Sequence, residues 1–146
     1  MQETFRAETW LYSVFSADSG AGGLNHATTG VAGRIYAYVA PAGAAFPLVI
    51  YSHQGGHDVR GVGPARIMAS MVYQVKAIGK GRAASFAAIK PIADRIDSLL
   101  QGASGSTTDG LILSCVREQP VSYTETSGTD VYSHLGGLYR LQVRPA

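Results

Sequence analysis

Charge is scarce in this sequence: Lys, Arg, Asp and Glu make up 15% of its 146 residues, against roughly 25% in ordinary soluble domains. The two signs nearly cancel, with 12 basic and 10 acidic side chains and a net charge of +2, which is too little to mark a nucleic-acid binder. Cysteine occurs once, at Cys115. No intrachain disulfide is available, and the secreted, disulfide-stapled class is excluded. No stretch approaches the roughly 18 consecutive apolar residues that a spanning helix needs. The opening Met1-Gln-Glu-Thr-Phe-Arg carries no basic segment followed by an apolar core, so no signal peptide is expected and the chain reads as made in the cytoplasm.

Apolar residues, at 46%, and glycine, at 18 positions, are abundant. A chain this apolar and this poor in charge is not disordered, and its length fits one domain, residues 1–146. Low surface charge has two readings: a domain that buries surface against copies of itself, or an Ala/Gly-rich composition with no such meaning.

Residues 4–17 predict a helix, with Thr4 as cap and Phe5, Leu11, Val14 and Phe15 at near-helical spacing. Residues 18–33 read as loop, and strands are expected over 34–40 and 46–52. The stretch from His53 to Pro64 contains glycines 55, 56, 61 and 63 and reads as a long mobile connection, a kind that is uncommon unless functional. A strand follows over 70–78, then a helix over 82–101 with Phe86, Ile89, Ile92, Ile96, Leu99 and Leu100 on one stripe. Pro91 is expected to kink or split that helix, and Gly102 to cap it. Residues 103–109 read as loop. Strands over 111–118 and 121–126 are expected to break at Pro120, and a final strand over 131–144 at Gly136-Gly137. Strands in runs with two helices predict an α+β fold: a single antiparallel or mixed sheet with both helices packed on one face. Phe86, Ile89, Ile96 and Leu99 are expected to pack on Ile35, Val49, Tyr73 and Leu113.

Catalytic signals are weak throughout. His53, His57 and Asp58 invite a metal reading, but a Gly-rich loop lacks the packed surroundings that orient metal ligands, so no metal or cofactor is expected. Gly79-Lys80-Gly81-Arg82 fails as a phosphate loop, because Gln74 stands where the leading glycine belongs and Gly81 where Ser or Thr belongs. Ser104 lacks the flanking glycine pattern of a nucleophile elbow. Cys115 sits in mid-strand, where an inert thiol is expected. Lys76, Lys80, Arg82, Lys90 and Arg95 cluster in sequence without interleaved aromatics, so a solvated face explains them better than a nucleic-acid platform.

From Gly33-Arg-Ile-Tyr-Ala-Tyr-Val through the Pro41/Gly43 turn to Phe46-Pro-Leu-Val-Ile-Tyr, the sequence resembles the tail-completion family of long-tailed bacteriophages, the tail terminator or tail-to-head joining proteins. Gly81-Arg82-Ala83, a helix ending in Leu99-Leu100-Gln101-Gly102 and an Arg-bearing last strand extend the likeness over roughly residues 4–144. The Gly-rich 53–64 stretch and Pro91 depart from that pattern. The resemblance implies a non-catalytic virion protein. It would form a homohexameric ring that caps the tail tube at the head-proximal neck and joins the tail protein to the head connector or adaptor. DNA would pass through the ring without sequence-specific contact, and no membrane is involved. A heterologous interface that closes is the symmetry such a ring needs. The alternatives are a head-side neck adaptor and, from another class, a small cytosolic enzyme. The candidate interface residues are Arg60, Arg66, His53, His57, Asp58, Lys80, Arg82, Arg140 and Arg144, with the 53–64 stretch as a contact arm.

Overall fold

In a computed structural model the chain is described at residues 2–81, 86–108 and 110–145. Helix α1, Gln2–Ala17, is followed by β1 (Ile35–Ala37), β2 (Leu48–Arg60) and β3 (Arg66–Lys80). Helix α2, Phe86–Leu100, then leads into β4 (Ala103–Thr107), β5 (Gly110–Ser127) and β6 (Asp130–Pro145). The six strands form one sheet in the order β1-β2-β3-β6-β5-β4. Only β1 and β2 run parallel; every other neighbouring pair is antiparallel.

The expected α+β class is corrected. Half of the described residues lie in strands and 22% in helices, so the fold is mostly β, built on one curled, mixed sheet. The excess strand comes from segments whose Gly and Pro suggested loops or breaks. Residues 53–60 are not a mobile connection but the outer half of β2, paired to β3 from His53↔Tyr73 to Arg60↔Arg66, and the turn is only residues 61–65. Residues 103–107 form β4, β5 continues through Pro120, and β6 continues through Gly136-Gly137. Among the described residues no strand lies on the outer side of β5 at Pro120, and a proline there is tolerated where its missing N–H would face that side. Gly136 is required by proximity: a Cβ there would lie 2.0 Å from the Val75 carbonyl oxygen. Conversely, the strand expected over 34–40 shrinks to three residues, ending at Tyr38, whose φ is +64°.

One face of the sheet supplies the core. Met71, Tyr73 and Val75 of β3 alternate inward, and Tyr139, Leu141 and Val143 of β6 do the same; in register, Tyr73 faces Tyr139 and Met71 faces Leu141. Trp10, Leu11 and Phe15 of α1 and Ile89, Ile92, Ile96 and Leu100 of α2 join the same apolar cluster. Ile35, Val49 and Tyr73 take the expected core positions, while Phe86 and Leu99 are only partly buried. Leu113 does not: it is 43% exposed, and Ile112 and Cys115 are buried instead. A register shift between Ile112 and Ser114 turns Leu113 out of the alternation. Phe5 also falls outside its expected stripe, at 70% exposure. Helix α2 runs through Pro91 as one element.

Candidate assembly interface

The sheet carries two long hairpins that point in opposite directions. Residues Arg66 and Ala69 of β3 lie at the end where β6 finishes, because Ala69 pairs with Val143. Lys80 lies at the other end, beside Tyr132 and the β5–β6 turn. The first hairpin gathers most of the predicted interface residues. Asp58 pairs with Ala69, and His57 with Ser70. Arg66 bridges the hairpin to α1, with its Nη2 2.8 Å from Glu3 Oε1 and its Nη1 3.3 Å from Asp58 Oδ2. Glu3 is buried while Arg66 is exposed, so the guanidinium seals the helix against the hairpin from the solvent side.

A cleft of about 400 Å³ opens at this junction, lined by Glu3, His53, His57, Asp58, Arg66 and Ser70 among others. His53 is half-buried and packs on Tyr73, with ring centroids 5.3 Å apart. Gly56 permits the close approach of the two strands: its φ is +153°, and a Cβ there would lie 2.1 Å from the Ser70 carbonyl oxygen. Among the described residues, no group of three or more His, Cys, Asp or Glu side chains is placed to hold a metal ion. Arg60 is exposed at the hairpin tip.

The remaining predicted residues lie elsewhere. Arg140 is on the middle of β6, where its Nε and Nη2 donate to the Glu118 carboxylate and its Nη1 donates to Ser70 Oγ at 2.8 Å. The hydrogen bond from Arg140 holds the Glu118 carboxyl below its ordinary pKa. Arg144 is exposed near the end of β6, paired with Leu111 across the ladder. Lys80 is at the opposite end, 3.6 Å from Asp130 and over the ring of Tyr132. Arg82 lies outside the described residues.

Sequence reasoning missed a second polar cluster at that opposite end. The rings of Tyr123 and His134 stack with centroids 4.3 Å apart, and Lys76 Nζ is 2.5 Å from the Tyr123 hydroxyl. His134 Nε2 is 3.1 Å from Glu125 Oε2. Burial holds the His134 imidazole below its ordinary pKa, Lys76 adds to this, and Glu125 opposes it. The signal was the i, i+2 spacing of Tyr123 and Glu125 against Tyr132 and His134 across the Gly128 turn, which makes cross-strand pairs once the hairpin is seen. A cleft of about 420 Å³ runs beside this cluster under the Pro41–Phe46 segment.

Cys115 is buried, and its thiol is pushed up to about 12 by burial and then by Asp97, which removes the thiolate on which cysteine chemistry depends. Among the described residues, no helix is long and apolar enough to cross a membrane.

No family model matches the chain, and no curated protein matches it. Its fold, however, is that of a chain in the virion of a native gene transfer agent particle: the two superpose with a TM-score of 0.66 over 97% of each chain, at 18% sequence identity.

Proposed function

We propose that this chain is a structural subunit of a phage-like virion, and that it assembles with copies of itself into a ring at the head-proximal end of a tail tube. The carrying observation is the shared fold with a gene transfer agent virion chain, which extends over nearly the full length of both. At that coverage neither chain carries a large insertion relative to the other. The sparse charge and the two projecting hairpins support an assembly role, because both suit a subunit whose surface is covered by neighbours. In this reading the ring is a homohexamer. It ends the growth of the tube, docks it to the head connector or adaptor, and leaves a channel for DNA without sequence-specific contact. The chain acts without catalysis or a cofactor.

The test is to purify tails and heads separately from a producing host and label this chain in each. Expected are rings at one end of isolated tails, with a native mass of six copies. Label on heads alone would replace the tail-end role with that of a neck adaptor. Label on neither would overturn the virion reading.

A further inference from the structure

The two sides of the sheet are each covered only in part. β1 pairs with β2 no further than Tyr51. Beyond that, among the described residues, no strand lies on the outer side of Gln54–Arg60. On the other side β4 pairs with β5 only to Cys115, so the outer side of residues 116–127 is open as well. Open edges of this length are usually blocked or used. This one is held by a placeholder: the Arg117 amide donates to Gln101 Oε1 at 2.8 Å, a side-chain acceptor standing where a neighbouring strand's carbonyl would be.

The topology makes the two edges a matched pair. Two strands, β3 and β6, stand between β2 and β5, and each neighbour in β2-β3-β6-β5 is antiparallel to the next. Three reversals leave β5 antiparallel to β2, so β2 of a second copy, placed beside β5 in the same orientation, is again antiparallel. We propose that the seam between copies of this chain is a β-ladder joining the open edge of β2 in one copy to the open edge of β5 in the next. This proposal rests on the ring reading above and specifies its interface.

The side chains select a register. Asp58 is on the sheet face of Ala69 and Tyr73, and Arg117 on that of Tyr139, so both lie on the core-bearing face. Aligning Asp58 with Arg117 sets His57 against Glu118, and Val59 against Val116, which is 44% exposed. A two-residue slip one way sets Arg60 against Arg117, two like charges. A slip the other way carries Asp58 to Cys115, where β4 already pairs. The intrachain partners do not compete strongly. Asp58 meets Arg66 at 3.3 Å, with both side chains exposed, and the exposed Arg117 meets the half-buried Asp97 at 3.5 Å; ion pairs with exposed partners are weak. Directly opposed residues on antiparallel strands have Cα atoms about 4.5–5.5 Å apart, within the range a disulfide spans. Within one copy, β2 and β5 are three strand spacings apart, about 14 Å, so a disulfide between them can only join copies.

The experiment uses the full-length chain carrying Val59→Cys and Val116→Cys together, oxidised in the assembled state and run without reductant. A second double variant, His57→Cys with Glu118→Cys, reports on the adjacent pair. Native mass spectrometry of the unmodified chain is run in parallel. Expected is a ladder of covalent multimers from either double variant, collapsing to monomer on reduction, with no cross-link from any single variant. Multimers by native mass with no ladder from either double variant overturn the seam and leave the ring reading standing. A chain that stays monomeric overturns both.

Discussion

Arg95 of α2 grips Asp18 through two hydrogen bonds, Nε to Oδ2 at 2.8 Å and Nη2 to Oδ1 at 2.7 Å. Asp18 also accepts from the Leu24 amide at 2.6 Å. One carboxylate thus anchors the connection after α1 to the second helix. The hydrogen bond from Arg95, opposed by burial and aided by Leu24, holds the Asp18 pKa below its ordinary 3.8. A depressed folded-state pKa contributes stability above the unfolded value, and that contribution is lost as pH falls through the folded value. Asp18→Asn is therefore expected to lower stability at neutral pH by about 1.5–3 kcal/mol, the range for hydrogen bonds to charged groups. Urea unfolding of both chains from pH 7 downward checks this: the gap should hold at neutral pH and narrow only below about 4.

Ile96 and Leu113 offer a paired test of the core. Ile96 is fully buried and Leu113 is 43% exposed. Ile96→Ala is expected to cost about 2–5 kcal/mol, and Leu113→Ala under about 1 kcal/mol. Equal shifts in the denaturation midpoint would show that the alternation in β5 has been misplaced.

Gly136→Ala places a methyl group against the Val75 carbonyl, 2.0 Å away. The strands must part to admit it, an overpacking cost of about 1–3 kcal/mol. Faster amide exchange along β3 and β6 near Val75, with β4 unaffected, is the expected signature in deuterium exchange.

Cys115 should resist alkylation in the folded chain at pH 8, because burial and Asp97 keep its thiol protonated. Labelling with a maleimide should go to completion only in denaturant. Ready labelling of the native protein would mean that β5 opens at its β4 side.

Deleting residues 55–62 would excise strand rather than a loose arm, because 53–60 belong to β2. That deletion removes ladder pairs from Gly55↔Val72 to Arg60↔Arg66 and is expected to impair folding itself. Shortening the turn 61–65 by two residues is the cleaner probe. The expected result is an unchanged far-UV spectrum and a melting midpoint within a few degrees, read by circular dichroism.

Both helices were legible because their apolar residues repeat on one face: Leu11 and Phe15 in α1, and Ile89, Ile92, Ile96 and Leu100 in α2, all lie in the core. The strands that were missed fail for a common reason. Gly55, Gly56, Pro120, Gly136 and Gly137 carry strong local signals for turns, yet each sits in a ladder whose partner is distant in sequence. Local propensity says nothing of the Val75 carbonyl that forbids a Cβ at position 136, nor of the open edge that excuses Pro120. Of the site, the nearness of His53, His57, Asp58 and Arg66 was readable from their spacing. The contact of Arg66 with Glu3 was not, since it joins residues whose adjacency only the packed helix creates. Arg140, Arg144 and Lys80 are spread along the sheet for the same reason: strand register, invisible in one sequence, decides which end each occupies.

The opposed hairpins give the subunit an electrical direction along its strands. One end carries Arg60, Arg66 and Arg144, with Glu3 and Asp58 as partial counterweights. The other carries Lys80 with Asp130 and Glu125. A ring that repeats the subunit with its strands running along the axis inherits this as two unlike rims, one arginine-rich and one mixed. Acidic surfaces are drawn to the first rim and gain little at the second. A stack containing such a ring therefore has a preferred way up, set before any shape is matched, and an inverted ring would present the wrong rim to both neighbours at once.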